Sequence, residues 1–202
     1  MDATSHYPTD YTSERVELHD GIGSRGNDEI KRLHEAGYRI LEGINDATRA
    51  RLAAAASQPH IREYCARDLD ERFGSTEQTL EWLSGGRALL TLESEGVLIG
   101  YGWVGPKNTP EVKDLYDATM SIRLTEHGVG KGLATSFAIV LTEYALQQFG
   151  ARGVWLEAWR SNERAIRMYE RIGYVIVAVV SGVRDTQQDM RVFLAYTPSV
   201  EA

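Results

Sequence analysis

The chain predicts an α+β domain built on a mixed central sheet. Three observations carry this. Helical periodicity gives way to strand alternation at Arg87, three alternating segments then follow in close succession, and strand–helix–strand and hairpin patterns complete the chain. A length of 202 residues and 22.6 kDa suits one domain, long enough to bury roughly 70% of its unfolded surface.

The elements follow in order. Residues 1–15 are polar and turn-rich and read as a loose tail. "NDEIKRLHEAG" reads as a short helix, with Asn27 or Asp28 as N-cap and Gly37 at its stop. "YRILEGI" is expected to be a strand, and "DATRARLAAAASQ" a helix capped by Asp46 and ended by "QPH". "IREYCARDLDERFGS" is less regular. "TEQTLEWLSGG" places Thr76, Leu80 and Leu83 on one helical face. "RALLTLES", a turn at "EGV", "VLIGYGWVGP" and "DATMSIRL" form an antiparallel meander, with Met120, Ile122 and Leu124 alternating. A helix then runs to about Phe149, carrying Leu133, Phe137, Val140, Leu141 and Tyr144 on a broad apolar face. "GVWLEAW" is a strand, "NERAIRMYERIG" a helix, and "YVIVAVVSG" with "MRVFLAY" a closing hairpin.

Composition narrows the function classes. No segment reaches the apolar length of a membrane span, and the first residues lack the basic and apolar regions of a signal peptide. A single cysteine, Cys65, rules out an intrachain disulfide and any multi-cysteine metal site, so a reducing cytoplasm is expected. The five histidines show no ligand spacing on a helix, so no metal is expected. A net charge of −7 argues against nucleic acid as a partner and suits cationic substrates, although a solvated acidic surface explains it equally well.

Two glycine loops compete for a phosphate. "GIGSRG", residues 21–26, matches the dinucleotide-binding fingerprint by letter, with Glu42 about 20 residues on. That motif needs a buried parallel strand before it, and "ERVELHD" offers only Val16 and Leu18. A turn is the better reading. "HGVGKGLA", residues 127–134, follows an alternating strand and opens a long helix. Bare backbone there lets N–H groups and the positive end of the helix dipole meet an anion. A ligand-free strand-to-helix turn is the plain alternative. It is no P-loop, because "GKG" lacks the following Ser or Thr.

A second segment decides between them. "NERAIRMYERIGY" places Asn162 at a helix start and Tyr169 two turns later, on nearly the same side. Together the two segments closely resemble the GNAT superfamily of acetyl-CoA-dependent N-acetyltransferases. That family's pyrophosphate loop reads Arg/Gln-x-x-Gly-x-Gly/Ala, met here by His127, Gly128, Val129, Gly130, Lys131 and Gly132. Its later segment reads Asn-x-x-Ala-x-x-x-Tyr-x-x-x-Gly-Phe/Tyr, met by Asn162, Ala165, Tyr169, Gly173 and Tyr174. His127 is the one departure. It weakens a side-chain contact and leaves the amides untouched.

The resemblance covers residues 38–197 and implies residues 1–37 as an N-terminal tail and short helix, with 38–202 as the acetyltransferase domain. It implies a parallel strand pair splayed at the cofactor site. Ile122, Arg123 and Leu124 would run beside the pantetheine arm, and the amides of Gly128 to Leu133, with Ala134 next, would cradle the pyrophosphate. Asn162 and Ala165 would face the cofactor arm, and Tyr169 would protonate the departing thiolate. Tyrosine suits that role because its hydroxyl, with a pKa of about 10, is protonated at neutral pH yet can donate to a thiolate.

Asp117, at the start of its strand, is the general base candidate that the resemblance implies. Glu126 is poorer because it would face phosphate charge. The acceptor pocket is expected from Glu63, Trp103, Glu157 and Trp159, with Tyr101 nearby. "PHIREY" resembles aminoglycoside-acetylating relatives, and Glu63, Asp68, Asp70 and Glu71 offer charge to a polycation, although a solvated helix face explains them as simply. The implied activity is acetyl transfer from acetyl-CoA, without metal, to a small-molecule or aminoglycoside-like amine. The alternatives are a protein N-terminus or lysine as acceptor, or a non-catalytic acyl-CoA-binding module. A homodimer is a further partner in keeping with the resemblance; nucleic acid and membrane are not.

Overall fold

The computed structural model describes residues 15–107 and 109–198. Within them lies one eight-stranded sheet made of β1 (Val16–Glu17), β2 (Arg39–Glu42), β3 (Ala88–Ser94), β4 (Val97–Pro106), β5 (Ala118–Leu124), β6 (Val154–Trp159), β7 (Val175–Arg184) and β8 (Gln187–Tyr196). The spatial order is β1-β2-β3-β4-β5-β6-β8-β7. Every neighbouring pair is antiparallel except β5 and β6. Those two are parallel because helix α5 (Leu133–Gln148) crosses over between them, as a parallel connection requires. They pair only at Ala118↔Val154 and Thr119↔Trp155. Beyond that, residues 120–124 and 156–159 diverge, and the sheet opens. The α+β class, the meander, the splayed pair and the closing hairpin are as expected.

Strand alternation sends side chains to two faces. On one, α1 (Ser24–Glu35), α5 and α6 (Glu163–Arg171) pack over Leu90, Val104, Met120 and Leu156, with Phe137, Val140 and Leu141 fully buried at the centre. On the other, α2 (Asp46–Ala56), α3 (Pro59–Cys65), a π-helix (Asp68–Phe73) and α4 (Thr76–Ser84) cover Leu89, Tyr101 and Trp103. The two faces meet through the opening between β5 and β6.

Several boundaries differ from the sequence reading. Helix α1 starts at Ser24 rather than at Asn27, whose side chain instead accepts from the Ile22 N–H at 3.2 Å. Helix propensity disfavours glycine, but Gly26 lies where a Cβ would stand 2.7 Å from Ile22 Cδ1 and 2.9 Å from Glu143 Cβ, so close packing on α5 outweighs propensity. The cap of α2 is Asn45, accepting from Thr48 N–H at 2.9 Å, one residue before Asp46. On α4, burial falls on Thr79 and Leu83, with Thr76 and Leu80 only partly covered. The irregular stretch is α3 followed by the π-helix. It looked irregular because a widened helical turn breaks the 3.6-residue period.

Residues 15–37 join this framework: β1 pairs with β2, and Ile22, Ile30 and Leu33 enter the core beside α5. The competing glycine loop lies here. Its preceding strand, β1, has two residues, stands at the sheet edge and runs antiparallel to its neighbour, which a dinucleotide fold does not allow.

Candidate active site

The loop from β5 to α5 is anchored by Thr125. Its N–H donates to Ile99 O at 2.9 Å and its hydroxyl to Leu98 O at 2.8 Å, while its carbonyl accepts from Gly128 and Val129 N–H at 2.8 and 3.0 Å. Gly128 passes so near β4 that a Cβ would stand 2.4 Å from Ile99 O. Gly130 and Gly132 face open space but hold φ of +82° and +76°, the left-handed region that favours glycine. The loop thereby uses the amides of Gly128 and Val129 internally. Among the described residues, Gly130 and Gly132 N–H have no backbone partner, and Leu133 and Ala134 N–H lie in the first turn of α5, where no intrahelical acceptor exists. The four form a ready anion site.

Across the opening, Asn162 caps α6, its Oδ1 accepting from Ala165 N–H at 3.3 Å. Asparagine is a preferred cap, so this half of the motif has a folding role, and the amide NH₂ is left over. Val129, Asn162, His60, Tyr64, Glu126, Ser161 and Arg164 line a groove of about 690 Å³. The loop and the later segment therefore share one cleft. A second hollow on α6 gathers Arg164, Arg167 and Arg171 with Glu170. His127 is exposed, with Nε2 3.8 Å from Glu126. Lys131 is exposed.

Tyr169 lies two turns down α6, buried in the core beside Tyr174 at 5.7 Å between ring centres. Its hydroxyl has no hydrogen-bond partner among the described residues. Burial pushes its pKa up, the positive charge of Arg123 opposes the rise, and Cys65 adds to it. Arg123 and Cys65 belong to the other face of the sheet. Their influence on Tyr169 marks the point where the splayed strands let both faces meet.

On that second face the sequence reading missed the central feature. Asp68 is fully buried. Its carboxylate accepts from Arg123 Nε at 2.9 Å, Tyr101 hydroxyl at 2.9 Å and Arg72. Arg72 lies over the Trp103 and Trp82 rings at 5.1 and 5.6 Å. Arg123 also donates to Ser121 Oγ and Ile122 O at 2.6 and 2.8 Å. Tyr101 stands opposite Arg123 in the β4–β5 register, which fixes the geometry. The Trp103 indole N–H is buried without a partner among the described residues.

The remaining acidic candidates are arginine-paired. Asp117 starts β5 at the end away from the glycine loop, about 23 Å along the strand from Leu124. It accepts from Arg152 Nε at 2.8 Å and Arg152 N–H at 2.9 Å. Burial works to raise its pKa, but those bonds outweigh it and hold the carboxyl below the ordinary range. The structure does not bring Asp117 to the groove. Glu157 accepts from Arg191 through both oxygens, at 2.8 and 2.7 Å. Glu63, Asp70 and Glu71 pair with Arg184, Arg62 and Arg67. Trp159 is half-buried on β6, and its ring reaches across to Gly182 of β7.

A model of the acetyltransferase (GNAT) domain matches residues 39–175. The chain belongs to the GNAT acetyltransferase family. Over 124 residues, 60% of its length, it is 28% identical to a mycothiol acetyltransferase of Salinispora tropica. It spans 38% of the length of that curated relative. Solved GNAT-fold structures overlay widely. They include yncA of Salmonella typhimurium with its cofactor acetyl-CoA (20% identity, TM-score 0.61, 81% of this chain and 96% of the other). Spermidine N-acetyltransferase of Vibrio cholerae with CoA and spermine is another (16%, 0.66, 81% and 97%). At these identities the overlays bear on the fold.

Proposed function

We propose that this GNAT protein transfers the acetyl group of acetyl-CoA to the primary amine of a small molecule by direct attack. The observation that carries the reading is the opening between β5 and β6, with unpartnered loop amides at one end and the unpartnered Tyr169 hydroxyl beside it. The amides of Gly130, Gly132, Leu133 and Ala134 suit a pyrophosphate, and Lys131, Arg164, Arg167 and Arg171 bring positive charge to the phosphate-rich end of coenzyme A. Ile122 to Leu124 offer backbone to the pantetheine arm, and Asn162 its spare amide.

Acetyl-CoA supplies an activated acyl group as a thioester. As the amine nitrogen bonds to the acyl carbon and the carbon–sulfur bond breaks, Tyr169 gives its proton to sulfur, and the proton that the nitrogen sheds passes through solvent, which restores the tyrosine hydroxyl. Arg123 eases that transfer by opposing the rise in the tyrosine pKa. Cys65 is no nucleophile in this scheme, because burial holds its thiol protonated.

The acceptor reading departs from the polycation suggested by acidic residues 63–71. Each carboxylate in that stretch has an arginine, so those residues offer a cation no free negative charge. Asp117 and Glu157 are neutralised likewise, which leaves neither of them a ready base. A lysine-like amine of pKa about 10.4 would cost roughly 4–5 kcal/mol to present neutral at pH 7, an amine near 8 only about 1. A compact amine of lowered pKa therefore fits better than a polyamine or aminoglycoside. As for assembly, β7 is an edge strand exposing Val175, Val177, Val179 and Val183, a surface suited to a second copy.

The test is coenzyme A release with a panel of amines graded by pKa. Turnover should favour small amines with pKa near 8. Turnover confined to polyamines would contradict the acceptor reading, and none with any amine would contradict transfer.

A further inference from the structure

Outside the acetyl-transfer site, one cluster of side chains has the chemistry of a ligand set. Glu17 on β1, His19 just after it and His34 in the last turn of α1 each bring a donor atom within 4.8 Å of the others. His34 Nε2 is buried, has no hydrogen-bond partner among the described residues, and lies 3.6 Å from Glu17 Oε1. His19 Nδ1 lies 4.0 Å from the same oxygen. The two imidazoles stand edge to face with centres 5.5 Å apart, close to the separation of about 5 Å for two imidazoles on a tetrahedral zinc with bonds near 2.0 Å.

We propose that Glu17, His19 and His34 bind one divalent transition-metal ion of the zinc class, tying edge strand β1 to helix α1. Two imidazoles and a carboxylate select zinc, nickel or copper over magnesium or calcium. The donor atoms, within 4.8 Å of one another, stand wider than the roughly 3.3 Å of a zinc tetrahedron with bonds near 2.0 Å, and the exposed His19 side chain is free to close on the ion. Water completes the fourth position. Arg39 Nε, 3.1 Å from Glu17 Oε1, is the competing cation. It is held nearby through bonds to the His34 and Tyr38 carbonyls at 3.3 and 3.1 Å.

Such an ion has a structural use. Strand β1 has two residues and pairs on one side only, so a tie to α1 fixes an otherwise weak edge. The cluster stands four strands from β5, about 19 Å, so acetyl-CoA binding is independent of it.

The experiment uses the full, untagged chain after chelator treatment, titrated with zinc by calorimetry and with cobalt for its visible spectrum, with thermal unfolding in parallel. One equivalent should bind, and zinc at about a hundredfold excess over Kd should raise Tm by at least about 4 °C, with magnesium giving no shift. His19→Ala, at a side chain 67% exposed, should abolish both effects without loss of fold. Arg39→Gln should tighten binding several-fold. Zinc binding and a Tm shift unchanged in His19→Ala and in His19→Ala/His34→Ala, or no binding by the wild-type chain, would overturn the site.

Discussion

The two sides of the opening are built from different materials. The proposed cofactor side is made of backbone: glycines at positive φ, a helix N-terminus and one asparagine cap. The proposed acceptor side is made of long side chains ion-paired around a buried carboxylate. A backbone site is set by local conformation and survives most changes nearby, whereas a buried ion network fails as a unit when one partner is lost. The first side should therefore break in binding and the second in stability.

The largest expected effect tests this directly. Asp68→Ala leaves Arg72 and Arg123 buried without their carboxylate and should cost about 3–5 kcal/mol in urea unfolding. A cost below 1 kcal/mol would mean that the network is solvated and the contrast false. Tyr169→Phe comes next. It keeps the ring packing and removes the proton, so kcat should fall about 100-fold or more while acetyl-CoA affinity and Tm hold. A fall in affinity instead would make Tyr169 a binding residue.

Smaller changes sharpen the comparison. Asn45→Ala removes the α2 cap on the acceptor side and should cost about 1 kcal/mol, with no change in cofactor affinity by calorimetry. Asp117→Asn should cost less than about 1 kcal/mol, because its pair with Arg152 is partly exposed, and should leave kcat within about twofold. Its pH signature has a definite sign. The folded pKa is depressed below the unfolded value near 3.9, so the stability it contributes is present above that value and is lost as pH falls through the folded pKa. In acid titrations below about pH 4, Asp117→Asn should flatten the decline. A tenfold loss of kcat with a shifted pH–rate profile would restore Asp117 as the base.

What the sequence discloses follows the same division. The spacing Gly128-x-Gly130-x-Gly132 and the run Asn162 to Tyr174 lie within single turns and helices, so order along the chain is order in space. The meander was equally legible, because alternation at Met120, Ile122 and Leu124 reports one face directly. Asp68 was not. Its partners Tyr101 and Arg123 come from strands 33 and 55 residues away, and only the β4–β5 register puts them opposite each other. Asp117 looked suitable as a base from its place on the strand, but Arg152, on a loop reached only after α5, takes its charge. The cap at Asn45 was missed by one residue because both Asn45 and Asp46 can cap. Glu17, His19 and His34 share no helical spacing, and β1 and α1 bring them together only by folding.

The central claim is that bare loop backbone holds the coenzyme A pyrophosphate. Its most direct test is calorimetric titration with acetyl-CoA of the wild-type chain, Gly130→Asn and Gly130→Asp, two substitutions alike in shape and in tolerance of positive φ but differing in charge. The account predicts tight wild-type binding, a modest loss for asparagine and a loss of at least about 100-fold for aspartate, whose carboxylate would face the phosphates. Equal binding by all three, or none by the wild type, would contradict it.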